Sequence, residues 1–279
     1  MEGSGRLNPD ALHPVLCGGP LLIGHRGAAG LVPENTMASF RDAVDRWAVD
    51  MVELDVRASA DGHCVVIHDP TLDRTTDGSG PVAGMRLAEL QALDAGYRFQ
   101  DEQGRYPFRG QGLRIPTIHQ VLEELPETPL TVEVKIGTAQ TPLFQAIREH
   151  DAIDRVIVAG MRHEDRSLFS GYGGVRSGST RDVRGFYLLH RLFAGRLWRR
   201  ACDVFQVPER RGLLRLVTRR FVTDAARHGL PVHVWTVNDP DVMERLLDWG
   251  VDAIITDRPD LAARVLADRV GRPLPPGLR

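Results

Sequence analysis

Acidic, basic and histidine side chains stand at or near the ends of short apolar runs in this sequence. The residues concerned are, in chain order, His25 and Arg26, Glu53 and Asp55, Glu133 and Lys135, and finally Trp235. Residues two apart on a strand point to the same face, so Glu53 and Asp55 direct both carboxylates to one side. If the runs are strands of one barrel, their carboxyl ends meet at one face, where Glu133 joins the first two.

Three converging carboxylates without cysteine partners suit one hard divalent cation, either Mg2+ or Ca2+. Carboxylates this close would otherwise repel one another and shift their pKa values by several units. Arg26 and Lys135, the chain's single lysine, add the positive charge that phosphate oxygens bind. Histidine titrates near neutral pH, so His25 and His68 can act as general base and general acid. These residue types together indicate phosphoryl chemistry assisted by one metal.

The composition excludes several other classes of protein. The chain has 279 residues, which suits a single α/β barrel, and its net charge of −2 is no basis for nucleic-acid binding. No apolar run reaches the roughly 18 residues of a membrane span, and residues 1–10 do not resemble a signal peptide. The three cysteines are widely spaced and odd in number, so we expect free thiols and a cytoplasmic protein. The oligomeric state stays open.

Eight apolar runs separated by helical periodicity favour βα units and a parallel sheet. The runs are LLIGHR (21–26), MVELDVR (51–57), LTVEVK (130–135), RVIVAG (155–160), GVRSGS (174–179), DVFQV (203–207), VHVWTV (232–237) and DAIIT (252–256). Helix caps are expected at Asn35-Thr36 and at Asn238-Asp239-Pro240. We therefore predict an α/β fold with eight βα units, a (β/α)8 barrel.

One further run, CVVIHD (64–69), follows the second strand too closely for a crossover helix. It is better explained as the return strand of a hairpin that turns at Asp61-Gly62. Such an antiparallel arm places His68 roughly opposite Asp55, and Asp69 then orients a neighbour or holds the end of the arm. Residues 70–116, rich in Gly, Asp and Thr, predict a lid or a small inserted subdomain.

The ordered set of motifs resembles the glycerophosphodiester phosphodiesterase family, a group of TIM barrels. The motifs are HRGAAGLVPENTMASF, VELDVRASADGHCVVIHDPTLDRTTDGSG, TVEVK, VHVWTVNDP and IITDRP. Any one of them is weak, but their order and spacing together are specific. The resemblance implies one barrel domain over residues 21–266, an insertion at about 70–116, and terminal extensions at 1–20 and 267–279.

The resemblance also implies the role of each site residue. His25 and His68 would form the catalytic pair, and Glu53, Asp55 and Glu133 would bind one divalent metal ion. Arg26 and Lys135 would contact the phosphate, and Trp235 would pack against the alcohol part of a small-molecule phosphodiester. The sequence departs from the family pattern at Ala159-Gly160-Met161, where a serine-phenylalanine pair is expected.

Other interpretations stay open at this stage. The histidines can be structural, and Trp235 can be part of the core. The stretch FYLLHRLFAGRLWRR (186–200) is either an outer barrel helix or a cationic amphipathic helix that makes a peripheral membrane contact. The second case would favour a lysophospholipase D that cleaves lysophospholipids on the same scaffold. A non-catalytic phosphodiester-binding barrel and a barrel isomerase or aldolase are more distant alternatives.

Overall fold

The computed structural model describes Leu7 and residues 11–279. Ten strands lie in this part of the chain, and seven of the eight predicted runs form strands of the main sheet. The strands are β1 (Leu21–His25), β2 (Met51–Ala58), β3 (Cys64–Val66), β4 (Leu130–Val134), β5 (Val156–Ala159), β6 (Phe205–Pro208), β7 (Arg210–Arg211), β8 (Leu214–Arg215), β9 (Val232–Trp235) and β10 (Ala253–Thr256).

Seven strands pair in parallel in the order β5-β4-β2-β1-β10-β9-β6. The run at 174–179 closes the ring by single bridges, because Arg176 pairs with Val158 of β5 and Ser177 pairs with Val204 beside β6. Backbone hydrogen bonds support both bridges, from Ser177 N to Val158 O at 3.0 Å and from Gly178 N to Val204 O at 2.9 Å. The predicted (β/α)8 barrel is therefore confirmed.

Eight α-helices connect or flank the strands of residues 11–279. They are α1 (Met37–Arg41), α2 (Leu87–Leu90), α3 (Ile118–Glu124), α4 (Gln140–Glu149), α5 (Thr180–Arg191), α6 (Arg219–Ala226), α7 (Pro240–Asp248) and α8 (Pro259–Val270). The predicted caps form, since Thr36 Oγ1 accepts from Ser39 N at 3.2 Å and Asp239 Oδ1 accepts from Asp241 N at 2.8 Å. None of these helices is long and apolar enough to cross a membrane.

Two apolar layers fill the barrel because side chains alternate along each strand. The inner layer, which we call the lumen cluster, consists of Leu16, Leu21, Ile23, Met51, Ile157, Val175, Val204, Ala253 and Ile255. The outer layer joins the strands to the helices and includes Phe40, Phe186, Phe205 and Phe221. A lumen filled with side chains leaves no channel, so a ligand site must lie at an end of the barrel.

The antiparallel arm forms as predicted, but its register differs by one residue. Ile67 N donates to Asp55 O at 2.9 Å, so Ile67 rather than His68 lies opposite Asp55. The turn spans five residues and is closed by Ser59 N, which donates to His63 O at 2.9 Å. His68 therefore lies just beyond the paired part of the arm, at the mouth of the barrel.

The insertion at 70–116 supports this arm through an apolar cluster of its own. The cluster consists of Val65, Ile67, Leu72, Val82, Leu90, Ala95 and Ile115. Two of its members, Val65 and Ile67, belong to the arm itself, so the insertion holds the strand that carries His68. The domain limits 21–266 stay a prediction, and the last barrel helix, α8, continues to Val270.

A buried histidine in β9 makes stability depend on pH. His233 is fully buried, its ring nitrogens have no hydrogen-bond partner in the described part of the chain, and burial lowers its pKa to about 3. Below pH 6.5, which is the pKa of His233 in the unfolded chain, this histidine is protonated in the unfolded chain but stays neutral in the folded protein. The free energy of unfolding therefore falls as the pH falls. We expect the free energy of unfolding to fall by about 2 kcal/mol relative to His233→Leu between roughly pH 7.5 and pH 5.0.

Chemical denaturation of both proteins at the two pH values measures this difference. Val232→Ala serves as control, because it removes buried apolar volume from the same strand without a titratable group. The free energy of unfolding of Val232→Ala should lie below that of wild type by the same amount at both pH values. An equal pH response of wild type and His233→Leu would refute the assignment of a neutral buried histidine.

Candidate active site

The predicted carboxylates meet at the carboxyl ends of β2 and β4. Strand register brings them together, because His25 of β1 lies beside Glu53 and Asp55 lies beside Glu133 of β4. One oxygen of each of the three carboxylates lies within 4.8 Å of the others. Glu53 and Asp55 are buried, and Glu133 is partly exposed. We call Glu53, Asp55 and Glu133 the carboxylate cluster.

The donor set of the carboxylate cluster fits a hard divalent cation. Burial and the neighbouring Asp55 raise the pKa of Glu53 to about 7, so this carboxyl is poorly balanced by the chain's own cations. Burial also disfavours ionised Asp55, but Lys135 and Arg26 outweigh it and lower the pKa of Asp55. A cation beside Glu53 would complete the charge balance. Oxygen ligands of this kind are those that Mg2+ and Ca2+ prefer.

Two basic side chains border the carboxylate cluster, as predicted. Lys135 Nζ lies 2.9 Å from Asp55 Oδ1 and 2.8 Å from Glu133 Oε2. Arg26 Nε lies 3.1 Å from Asp55 Oδ2, and Arg26 Nη1 donates to Glu34 Oε1 at 2.8 Å. Both cations are thus held at the site by carboxylates, with part of their hydrogen-bonding capacity free for an anionic ligand.

A tight turn after β1 places Arg26. Its φ is 50°, and Gly27 follows with φ 90°, so the backbone is left-handed at both residues. In this conformation Arg26 N donates to Glu53 Oε2 at 3.0 Å. Gly27 is required, because a Cβ atom there would lie 2.4 Å from Ser39 Oγ. That hydroxyl also holds the turn, since it donates to Arg26 O at 3.1 Å and accepts from Ala28 N at 2.8 Å.

His25 is held between two carboxylates. Its Nδ1 lies 2.7 Å from Asp257 Oδ1, and its Nε2 lies 3.9 Å from Glu53 Oε2. Asp257 is fixed in turn by Asn238 Nδ2, which donates to Asp257 Oδ2 at 2.7 Å. Burial opposes protonation of His25, but Glu53 and Asp257 outweigh it and raise its pKa. The contact at Nδ1 leaves Nε2 facing the carboxylate cluster.

His68 is oriented by the same device on the arm. Its Nδ1 lies 2.6 Å from Asp69 Oδ1, so Asp69 orients its neighbour as the sequence suggested. Arg74 donates to Asp69 Oδ2 at 2.6 Å and to Glu34 Oε2 at 2.6 Å. Hydrogen bonds to Arg74 and His68 lower the pKa of Asp69 despite partial burial. Through Glu34 this network continues to Arg26, and it ties the arm to the β1 turn.

Sequence reasoning missed the residues that support this site. Asn35 was expected only as part of a helix cap, but Thr36 makes the cap and Asn35 Nδ2 donates to Asp55 Oδ2 at 2.9 Å. Asp257 follows the last barrel strand, so the strand-end rule that selected His25 also applies to it. Glu34 and Arg74 lie in loops, and no periodic signal marks them.

Trp235 lies at the end of β9 and is half-buried against the lumen cluster. This is the packing role that the sequence left open for it. A cavity of about 630 Å3 begins on the other side of the site, where Glu133 and Lys135 form part of its wall.

Comparison with known proteins agrees with this geometry. The sequence profile described as "Glycerophosphoryl diester phosphodiesterase family" matches residues 25–261. The chain belongs to this family. It is a phosphodiesterase, and its matched segment runs from the predicted catalytic histidine of β1 into α8.

Individual relatives cover most of the chain. A glycerophosphodiester phosphodiesterase of Caldanaerobacter subterraneus subsp. tengcongensis is 34% identical over 86% of this chain and 95% of that protein. A probable glycerophosphodiester phosphodiesterase 2 of Mycobacterium tuberculosis is 32% identical over 90% of this chain and 92% of that protein. A phosphodiesterase of Oleispira antarctica, solved with the product sn-glycerol-3-phosphate, has a TM-score of 0.71 at 26% identity, covering 88% and 96% of the two chains.

Asp257 offers a test of how His25 is positioned. In Asp257→Asn the ring loses its Nδ1 carboxylate partner, so we expect kcat toward a phosphodiester to fall roughly 10²-fold or more. Loss of one of the two charges that raise the pKa of His25 should also move the pH–rate limb of this histidine to lower pH. Steady-state kinetics over a pH series measures both effects.

Asp248→Asn is the matched control, because it removes an exposed carboxylate whose one ion pair within residues 11–279 is with Arg269 on α8. It should retain wild-type kinetics. If Asp257→Asn retained them as well, the proposed orientation of His25 would be wrong.

Proposed function

We propose that the chain hydrolyses glycerophosphodiesters to sn-glycerol 3-phosphate and an alcohol, using His25, His68 and one divalent cation. The observation that carries this proposal is the carboxylate cluster, whose oxygens lie within 4.8 Å between two histidines that are each oriented by an aspartate. Family membership supports the class of reaction, and the donor set supports a metal held by Glu53, Asp55 and Glu133.

The basic residues bind and polarise the phosphodiester in this proposal. Lys135 and Arg26 flank the carboxylate cluster, and their remaining donors would bind the phosphate oxygens. When bound, the cation would neutralise charge on a non-bridging phosphate oxygen. Donors that are already fixed by Asp55 and Glu34 need little reorganisation to stabilise the extra negative charge of the transition state.

The histidines transfer protons through Nε2. Because Nδ1 of each ring faces an aspartate, the other nitrogen is the one directed to the reacting atoms. One histidine removes the proton of the nucleophile, and the other protonates the leaving oxygen. The nucleophile is water or a hydroxyl of the substrate's own glycerol, and in the second case a cyclic phosphate precedes the product.

The lysophospholipase D alternative requires the same chemistry on an acylated substrate. The relatives described above have names that refer to glycerophosphodiesters, which does not favour this alternative. The predicted cytoplasmic location stays a prediction. Cys64 and Cys202 are buried thiols, as expected of a reducing compartment.

Release of sn-glycerol 3-phosphate from glycerophosphocholine and glycerophosphoethanolamine tests the proposal. We expect turnover with added Mg2+ or Ca2+, loss of turnover with a chelator, and a reduction of roughly 10²–10⁴-fold in kcat for His68→Gln and His25→Gln. Product analysis by phosphorus NMR would reveal a cyclic phosphate if the glycerol hydroxyl attacks.

His63→Gln is the control for the histidine variants, because His63 lies in the turn of the same arm and is exposed. It should keep full activity. Turnover that persists in chelator, or in His68→Gln, would contradict the proposal. Cleavage of lysophosphatidylcholine alone would move the assignment to the lysophospholipase D alternative.

We also propose that the end of α5 makes a peripheral contact with anionic membranes. The helix packs as an outer barrel helix through buried Phe186, yet it leaves an apolar patch on the surface. The patch residues are Leu188, Leu192, Phe193 and Leu197, which are 61%, 74%, 81% and 67% exposed. No acidic residue occurs between Asp182 and Asp203, whereas four arginines lie within 191–200. An apolar patch with a cationic surround suits anionic lipid.

Co-sedimentation with vesicles tests this contact. We expect binding to phosphatidylglycerol vesicles that weakens with salt, and a loss of at least about tenfold in affinity for the double variant Leu192→Gln/Phe193→Gln. Leu274→Gln, which changes an exposed leucine near the C-terminus, should bind like wild type. Equal binding of the double variant and wild type would exclude the patch as the contact.

A further inference from the structure

The cavity beside the carboxylate cluster is large compared with a glycerol moiety. It has a volume of about 630 Å3 and opens between the ends of β4 and β5 and the first turn of α5. Cavities of about 300–1,000 Å3 are the size that proteins use for whole small-molecule ligands. A second cavity, beside Glu34, Asn35 and His68, has a volume of only about 10 Å3. The larger part of a substrate would therefore fit in the cavity that Lys135 lines, and not in the one beside His68.

The charged residues that line the cavity do not cancel. Lys135 pairs with Glu133, and Arg162 pairs with Asp165 through two contacts of 2.9 Å. Two more arginines and one glutamate complete the charged lining, namely Arg181, Arg184 and Glu164. Within residues 11–279, neither Arg181 nor Arg184 forms an ion pair.

The nearest acidic residue in sequence is already engaged on the inner side of α5. Asp182 accepts from Arg166 Nη2 at 2.6 Å and from Ser179 Oγ at 2.7 Å, so it does not neutralise Arg181. Arg166 is buried, and its contact with Asp182 anchors the helix start beneath the cavity. The exposed residues Arg181 and Arg184 thus give the cavity wall two cations without an acidic partner in the described residues.

We propose that this cavity binds the leaving alcohol of the substrate and favours an alcohol that carries its own phosphate charge. The inference rests on the proposed function and names its substrate class. Arginine binds phosphate oxygens through paired donors, and two unpaired arginines at a concave wall concentrate anions there. The wall also contains Met161, which is 54% exposed and lies where the sequence departs from the family pattern.

Two substrates test the inference, because in both the leaving oxygen belongs to a glycerol unit and only the charge on that unit differs. In glycerophosphoglycerol the leaving alcohol is neutral, whereas in bis(glycerophospho)glycerol it carries a second phosphodiester. We expect wild type to have the higher kcat/KM for the charged substrate. Arg181→Gln and Arg184→Gln should each lower the ratio of the two kcat/KM values about three- to fivefold, mainly through KM. Raising the salt concentration to about 0.5 M should lower the wild-type ratio as well.

Arg264→Gln controls for charge, because it removes an exposed arginine from α8 that forms no ion pair in the described residues. It should keep the wild-type ratio. The two substrates differ in the number of equivalent phosphodiester bonds, but this factor is the same for every variant and cancels when the ratios of kcat/KM are compared between variants. A ratio that is the same in wild type, Arg181→Gln and Arg184→Gln, or a preference for the neutral alcohol, would overturn the inference.

A failure of the proposed function would appear differently, as no hydrolysis of either substrate by wild type. The subsite would then be judged by calorimetric titration with glycerophosphoglycerol, which is itself the charged alcohol product. Binding that weakens about three- to fivefold in Arg184→Gln but not in Arg264→Gln would support the anionic subsite. Absence of binding, or equal affinity in all three proteins, would refute it.

Discussion

The structure depends on keeping three carboxylates together at the end of a buried sheet. Two of them, Glu53 and Asp55, are removed from water, where like charges within 4.8 Å oppose folding. The chain compensates Asp55 with Lys135, Arg26 and Asn35. Among the described residues Glu53 accepts one backbone amide and is near His25 and Lys135, which does not offset its burial beside Asp55. A cation bound at the carboxylate cluster would complete the charge balance around Glu53, so the same carboxylates bear on the stability of this end of the barrel and on its chemistry.

Closure of the barrel supplies the second requirement, which is fixed orientation of the two histidines. β1 and β10 are neighbours, so Asp257 after β10 reaches His25 at the end of β1 across 232 residues of sequence. His68 has no such neighbour in the ring. Its aspartate is the next residue, and the arm that carries both is held by the insertion and by Arg74. His25 on the barrel and His68 on the arm thus both have Nδ1 against an aspartate, but different parts of the fold hold them there.

Much of this arrangement follows from sequence because β-strands buried on both faces have a strong pattern. Seven apolar runs coincide with barrel strands, whereas the more polar run at 174–179 joins the ring by single bridges. The period of two put Glu53 and Asp55 on one face. The pattern could not give the register of the arm, because the apolar run at 64–69 is compatible with either a four-residue or a five-residue turn before it. Nor could it give the partners of the site residues. Asn35 acts through a left-handed loop conformation and Glu34 through a contact with Arg74 that is 40 residues away, and neither leaves a periodic trace.

The carboxylate cluster and the cavity beside it are built by different parts of the chain. The carboxylate cluster belongs to β2 and β4, whose backbone is fixed by pairing on both sides. Most of the cavity wall belongs to the loop after β5 and to the start of α5, where the lining side chains other than Asp165 and Thr180 are exposed. Substitutions at the exposed positions Met161, Arg181 and Arg184 should therefore cost the barrel little, whereas Phe169 and Val175 of the same segment belong to the core. Glu133 and Lys135 line the cavity, and Lys135 also contacts both Glu133 and Asp55, so a change at either position would disturb the carboxylates as well.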